Sequence, residues 1–337
     1  MEKDRLESNS QLWQRPQLIR FAPYIIVGAI LLILPPFMPE DIRLMMAKFL
    51  AFAIFAMGFN LIFGYLGLLS LGHAVYFGAG GYTVAILQFR FGIDSFWIGM
   101  PLAILFAALL AAILGPIVLR STGIYFLLLT FALGQLLYSI AWNVPFMNTP
   151  GMRGITGIIR PDLGIPGFTW DTTIFYYFIL IGFAICYFLL HRITNSPFGH
   201  ALVGIREGEP RMQATGYNTW LYKYVAFIIS GGFSGIGGAL FAWHNRIIDP
   251  SHFAVGTSFL PMVMAIIGGS GTLFGPVIGA GVVIFVEYFA SITVRLRWPL
   301  ILGGIFVVAV MFARAGIGVY LSRLWKKVSD RYGSTTS

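Results

Sequence analysis

Long stretches free of charged residues alternate along this chain with short polar interruptions. Apolar, charge-free runs lie at Phe21–Met38, Phe49–Phe89, Ser95–Leu119, Ser121–Ala141, Thr172–Leu190, Tyr224–Trp243, Pro250–Val286 and Trp298–Ala313. Roughly 20 apolar residues in a helix cross a bilayer core of about 30 Å. Phe49–Phe89 is too long for one crossing and sufficient for two. Pro250–Val286 crosses twice if it breaks near Gly268-Gly269-Ser270-Gly271. The pattern predicts an all-α fold: a polytopic transmembrane helix bundle of about ten spans, some of them broken. Phe21–Met38 follows a polar tail and has no small-x-small cleavage site near Met38, so it is expected to be a span and not a cleaved signal peptide.

Lys and Arg collect on the cytoplasmic side of membrane proteins. Three clusters stand out: Lys3, Arg5, Arg15 and Arg20; Arg192, Arg206, Arg211 and Lys223; and Arg314, Arg323, Lys326, Lys327 and Arg331. All three share one side if the span count is even, which puts both termini in the cytoplasm. Glu40, Asp41, Asp94 and the loop Asn143–Asp171 then face outward, and so do Arg295 and Arg297. The organisation expected is a cytoplasmic tail (1–20), a membrane domain (21–315) interrupted by a cytoplasmic segment (192–223), and a second cytoplasmic tail (316–337).

Composition narrows the function. Of 337 residues, 58% are hydrophobic and 10% charged. A soluble domain carries about 25% charge, so a water-soluble enzyme, a disordered scaffold and a nucleic-acid binder are excluded. The net charge of +9 is accounted for by the cytoplasmic clusters. A single cysteine, Cys186, offers neither a disulfide framework nor a thiolate cluster. No G-x-x-x-x-G-K-[ST] loop is present, so any ATP that drives this protein is hydrolysed on another chain. H-E-x-x-H and G-x-S-x-G are also absent, which leaves no visible catalytic site.

Two polar segments interrupt the spans. Asn143–Asp171, rich in Gly and Pro, reads as an irregular and partly re-entrant loop. Residues 192–223 read as short helices along the membrane. Ser196 can cap a helix that starts at Pro197, Phe198, Ala201, Leu202 and Ile205 share its apolar face, and Pro210 starts a second helix that Gly216 ends. This segment either lies on lipid or docks a cytoplasmic protein. Glu207 and Glu209 among the bases favour a protein partner.

Two Gly-broken regions, Gly64–Ala74 and Gly268–Pro276, interrupt apolar helix in the two halves of the chain. Paired broken helices point to a substrate path, whereas close packing through small residues explains Gly-x-x-x-Gly spacing alone. The path candidates are Gly67, Ser70, His73, Gly269, Ser270 and Thr272. His73 is either functional or a hydrogen-bonded brace of the broken helix, and Glu287 either functional or an end carboxylate paired with Arg295 or Arg297. His191 and His244, at span ends, are expected to face water.

Three runs resemble the permeases of branched-chain amino-acid ABC importers, the LivM-like subunit: Gly64–Leu87 (GYLGLLSLGHAVYFGAGGYTVAIL), Asn195–Trp243 and Gly268–Gly281 (GGSGTLFGPVIGAG). They stand in the family's order, and the likeness covers about residues 45–315. The resemblance implies a multi-pass protein of the bacterial inner membrane that is not itself an enzyme. It would pair as a heterodimer with a homologous second permease and be driven by two cytoplasmic ATPase subunits. A periplasmic substrate-binding protein would deliver the solute. Cofactors are expected to be absent from this chain, with ATP and Mg on the ATPases; membrane lipid is a partner and nucleic acid is not. The family's coupling segment matches Ile205 through Gly216, which assigns Arg206, Glu207, Glu209, Arg211 and Gly216 to ATPase docking. Related permeases carry branched-chain amino acids, urea, amides or organic acids. In the outward loop, Pro150 and Met152-Arg153 depart from the family's common Thr-Gly-Gly-x-x-Gly stretch, and Arg153 could steer a carboxylate or touch the binding protein. Two other readings remain: an ion-coupled secondary transporter working alone, and a passive channel. Neither accounts for the docking segment.

Overall fold

The computed structural model describes residues 28–143, 154–165, 167, 169–294, 300, 303, 304, 307 and 316. The first tail, the second tail beyond Gly316, residues 21–27 of the first apolar run, most of the last apolar run, Arg153, Arg295 and Arg297 lie outside the described residues.

The described chain is almost entirely helical: α1 (Glu40–Asn60), α2 (Ala74–Phe91), α3 (Phe96–Val118), α4 (Ile124–Asn143), α5 (Thr172–Thr194), α6 (Pro197–Ala214), α7 (Thr219–Asn245), α8 (Val255–Gly268) and α9 (Phe274–Val294). Among the described residues, six helical stretches are long and apolar enough to cross a membrane: Glu40–Tyr65, Phe96–Val118, Ile124–Asn143, Thr172–Thr194, Thr219–Asn245 and Phe274–Ile292. The chain is therefore a multi-pass membrane protein. α2 and α8 are less extensive apolar helices, and each begins or ends at a glycine-containing break. The two predicted double crossings are indeed interrupted, at 66–73 and at 269–273.

α1 and α7 form the centre of the bundle. From Leu50 to Asn60 every α1 residue is buried, as expected of a helix that is apolar all round. α3 meets α7 through a row of small residues, Gly99, Ala103, Ala107, Ala111 and Gly115, one turn apart on its buried face. A side-chain carbon on Gly231 would sit 2.6 Å from Ala111 Cβ, so the two backbones approach as small-residue helix pairs do in lipid. The opposite face of α3 exposes Leu105, Leu109, Ile113 and Ile117, an apolar surface suited to lipid.

One end of the bundle is covered by the segment 154–165. Ile155–Thr156 pairs antiparallel with Ile247–Ile248, and Asp162 exchanges backbone hydrogen bonds with Asp94 (2.8 Å) and Phe96 (2.9 Å). The described part of the expected re-entrant loop thus lies across helix ends. His244, expected to face water, is half-buried there. Its ring stacks on Phe175 with centroids 6.4 Å apart, and its Nδ1 is enclosed without a hydrogen-bond partner. His191 is exposed as expected.

Candidate translocation and coupling site

The two breaks are stitched to one another at the other end of the bundle. α1 does not stop at Asn60: Leu61–Tyr65 continue as a single widened π turn, and residues 66–73 leave the helix. Such turns free backbone groups and recur at functional sites. The side chain of Asn60, fully buried at the entry to this turn, reaches the second break. Its Nδ2 donates to Thr272 O (2.9 Å) and its Oδ1 accepts from Gly271 N (3.4 Å). Gly64 packs so closely on Asn60 and on Gly271 N that no side chain fits there. Gly269 (φ 108°) and Gly271 (φ 85°) adopt the backbone region that favours glycine. Non-helical backbone at membrane depth needs protein partners for its polar groups, and each break supplies some for the other.

Ser70 and His73 lie deeper, in the core. His73 Nε2 is 2.7 Å from Ser230 Oγ, and Ser230 Oγ donates to Gly58 O at 2.5 Å. The serine proton is thereby committed, so His73 must donate from Nε2 and keep Nδ1 as an acceptor, facing Ser70 Oγ at 3.5 Å. This is the arrangement of a brace joining the first break to α7 and α1. Ser258, buried on α8, accepts from Ala74 N (2.9 Å) and so ties the start of α2 to α8. The path candidates therefore fall into two groups. Gly67, Gly269, Ser270 and Thr272 gather at the stitched end, with Gly67, Ser270 and Thr272 exposed, while Ser70 and His73 sit buried above them.

α6 lies across the stitched end. Ser196 caps it by accepting from Gly199 N (3.4 Å), Pro197 is its first residue, and Ala201, Leu202 and Ile205 are buried. Gly216 ends the segment with φ 88°. The segment is two short helices, as expected, joined by a kink at Gly208, whose backbone (φ −179°, ψ 86°) is extended.

The kink decides which polar residues face outward. Glu207 and Arg211 are exposed. Arg206 is 37% exposed along its side chain, yet its tip reaches back to the breaks: its Nη1 donates to Gly64 O, its stem covers Gly67 so that a carbon added there would lie 2.7 Å from Cγ, and one added at Gly271 would lie 3.3 Å from Nη1. Glu209 turns inward, to an ion pair with Lys223 at 2.5 Å and a hydrogen bond from Thr219 at 2.9 Å. The arrangement of these two was not visible in the sequence, nor were the roles of Asn60, Ser230, Ser258 and Lys223. The available signals were a lone amide and a lone cation in or beside apolar runs.

At the far end, Glu287 pairs with Lys48 at 2.8 Å, a partner different from the arginines considered from sequence. The pair borders a crevice of about 290 Å³ that Asp41, His244 and Tyr288 also line. Among the described residues no three His, Cys, Asp or Glu side chains gather as a metal site.

Comparison with known proteins agrees with this architecture. Residues 42–315 match the family described as branched-chain amino acid transport system / permease component. The chain is similar to the high-affinity branched-chain amino acid transport system permease protein LivM of Escherichia coli K12, with 29% identity over 79% of this chain and 67% of the relative. The protein of the same name from Salmonella typhimurium is 30% identical over the same shares. A probable branched-chain amino acid transport permease protein LivM of Methanocaldococcus jannaschii is 27% identical over 74% of this chain and 81% of its own length. No solved structure matches the chain significantly. With the family match running from α1 through α9, this chain belongs to the branched-chain amino acid transport permeases.

Proposed function

We propose that this chain is the LivM-like permease subunit of a binding-protein-dependent, ATP-driven importer of the bacterial inner membrane. Its cargo is branched-chain amino acids or related small polar or carboxylate solutes. It works in a heterodimer with a homologous permease, on two cytoplasmic ATPase subunits that bind ATP and Mg, and receives solute from a periplasmic binding protein. Ten crossings with both termini in the cytoplasm put α6 on the cytoplasmic side, where the Lys and Arg clusters belong. Arg153 then lies in the outward loop, available to a carboxylate or to the binding protein.

The observation that carries the reading is α6 itself. It is a capped helix whose apolar side is seated on the bundle and whose other side offers Glu207 and Arg211 to solvent. A lever suits a motor on a separate chain, and this sequence has no nucleotide-binding loop of its own. In alternating access, the ATPases move α6 and the spans rock around a path lined by Gly67, Ser70, His73, Gly269, Ser270 and Thr272. Such motion requires contacts that differ between the two states.

The test is to purify the chain with the products of neighbouring genes and assay uptake into proteoliposomes. Co-elution of an ATPase and uptake that stops without ATP are the expected results. Uptake that follows a proton or sodium gradient without any ATPase would replace this reading with a secondary transporter.

A further inference from the structure

We propose that Arg206 does not dock the ATPase but acts as a withdrawable pin that holds the cytoplasmic seam between the two helix breaks shut. The inference rests on the importer reading above and concerns how α6 transmits its motion. Three observations carry it. First, one side chain touches both breaks: Arg206 Nη1 donates to Gly64 O in the π turn, and the guanidinium lies beside Gly271 in the second break. Second, the seam it closes has few other polar ties, chiefly the two hydrogen bonds of Asn60, at 2.9 and 3.4 Å. Third, α6 is built to move that side chain. Gly208 breaks the helix two residues after Arg206, and beyond it Glu209 is anchored to Lys223 and Thr219 at the root of α7. The half that holds Arg206 therefore swings about a hinge whose far side is fixed.

Arginine suits the task. Its guanidinium carries a fork of donors on a long stem, so it can satisfy a carbonyl freed by the π turn while its methylenes lie on Gly67. When the ATPases displace the first half of α6, the guanidinium leaves Gly64 O and both breaks lose their common partner. The seam opens, and Ser70, buried above it, becomes reachable from the cytoplasm. Glu207, 4.0 Å from Arg206 Nη2 and largely exposed, is placed to accept the freed guanidinium.

The test uses the whole complex in inside-out vesicles, with Ser70→Cys as reporter and a membrane-impermeant maleimide as probe. The native thiol, Cys186, is buried and supplies the blank. With Arg206 in place, labelling of the reporter thiol is slow without nucleotide and rises with ATP. In Arg206→Ala, labelling without nucleotide is faster by about tenfold or more, the shift expected for losing one charge-assisted hydrogen bond. ATP hydrolysis persists while solute moved per ATP falls. Arg206→Lys, which keeps the stem and the charge but not the fork, falls between the two. Should the alanine variant fail to accumulate, the lysine variant is read by the same two criteria. A merely structural role would lower the amount of protein in the membrane and leave its labelling rate and transport per ATP unchanged. That outcome, or parental behaviour in both measurements, overturns the pin. Failure of the unsubstituted chain to bind any ATPase would instead overturn the importer reading, while the nucleotide-free labelling comparison still judges the pin.

Discussion

Glu209 and Lys223 close a 2.5 Å ion pair between the end of α6 and the first turns of α7, and the two are unequally buried: 31% of the Glu209 side chain is exposed against 8% of Lys223. The cation is the hostage of this pair. Removing the carboxylate strands a buried ammonium, while removing the cation leaves a carboxylate that water can still reach. Glu209→Gln is expected to cost about 2 kcal/mol, between the values for surface pairs and for broken buried pairs. Glu209→Lys should cost more, because two cations then meet. Thermal unfolding in detergent checks this, and Lys223→Met should recover most of the loss in Glu209→Gln. If Glu209→Lys were as stable as the parent, Glu209 would have to face a partner chain instead.

The His73 brace predicts a second outcome. Ser230→Ala removes at once the acceptor of His73 Nε2 and the donor to Gly58 O, both in the buried core. Unsatisfied buried groups cost about 1–3 kcal/mol, so the midpoint of unfolding should drop measurably. Ser234→Ala is the control. Ser234 is equally buried on the same helix, but its hydroxyl only bonds back to Ser230 O at 2.8 Å, a local contact with little net effect. Equal losses in the two variants would mean that the brace contributes nothing beyond packing.

These two sites mark what was legible in the sequence. The spans were, because lipid demands long apolar runs: Ser95–Leu119 and Thr172–Leu190 lie within a few residues of α3 and α5. The start of α6 was also legible, since Ser196 and Pro197 act through local chemistry. The glycine breaks were visible as breaks. Their joining was not, because Asn60 reaches a partner 212 residues away, and Lys48 meets Glu287 across 239. The inward turn of Glu209 could not be read from helical spacing, for a definite reason. Gly208 is extended, so the face traced by Ala201, Leu202 and Ile205 does not continue past it. His244 was misread because its cover comes from a different helix, α5, through Phe175.

Acid should expose a weakness at the other end. Asp249 caps the turn after α7 and accepts from Ser251 N at 2.8 Å. Hydrogen bonding from His252 holds its carboxyl well below the usual carboxylate range; burial opposes this, and weaker hydrogen bonding from Ser251 adds to it. A depressed folded-state pKa gives stability that is fully present above the unfolded value, near pH 3.9, and is lost as pH falls below it. Between about pH 5 and about pH 3 the parent should lose more thermal stability than Asp249→Asn, which lacks the titrating group. Parallel pH profiles for the two proteins would remove Asp249 from the acid response.

The Lys48–Glu287 pair yields the last prediction. It lies two turns into α1, beside apolar residues, and its side chains are 30% and 21% exposed. Lys48 Nζ also sits 5.8 Å from the Phe52 ring centroid, a cation–π distance. Glu287→Gln leaves the ammonium with the ring alone and should destabilise by about 1–3 kcal/mol, more than an open surface pair and less than a sealed one. Exchanging the charges, Lys48→Glu with Glu287→Lys, restores the Coulomb attraction but puts a carboxylate near the face of Phe52, which a ring quadrupole disfavours. The exchange should therefore recover most of the loss and not all of it. Because both side chains of the pair are partly exposed, the penalty of the single variants should shrink in high salt, as it would not for an enclosed pair. An exchange variant no more stable than either single variant would show that the helices α1 and α9 are held by shape alone, and that the pair is incidental to their packing.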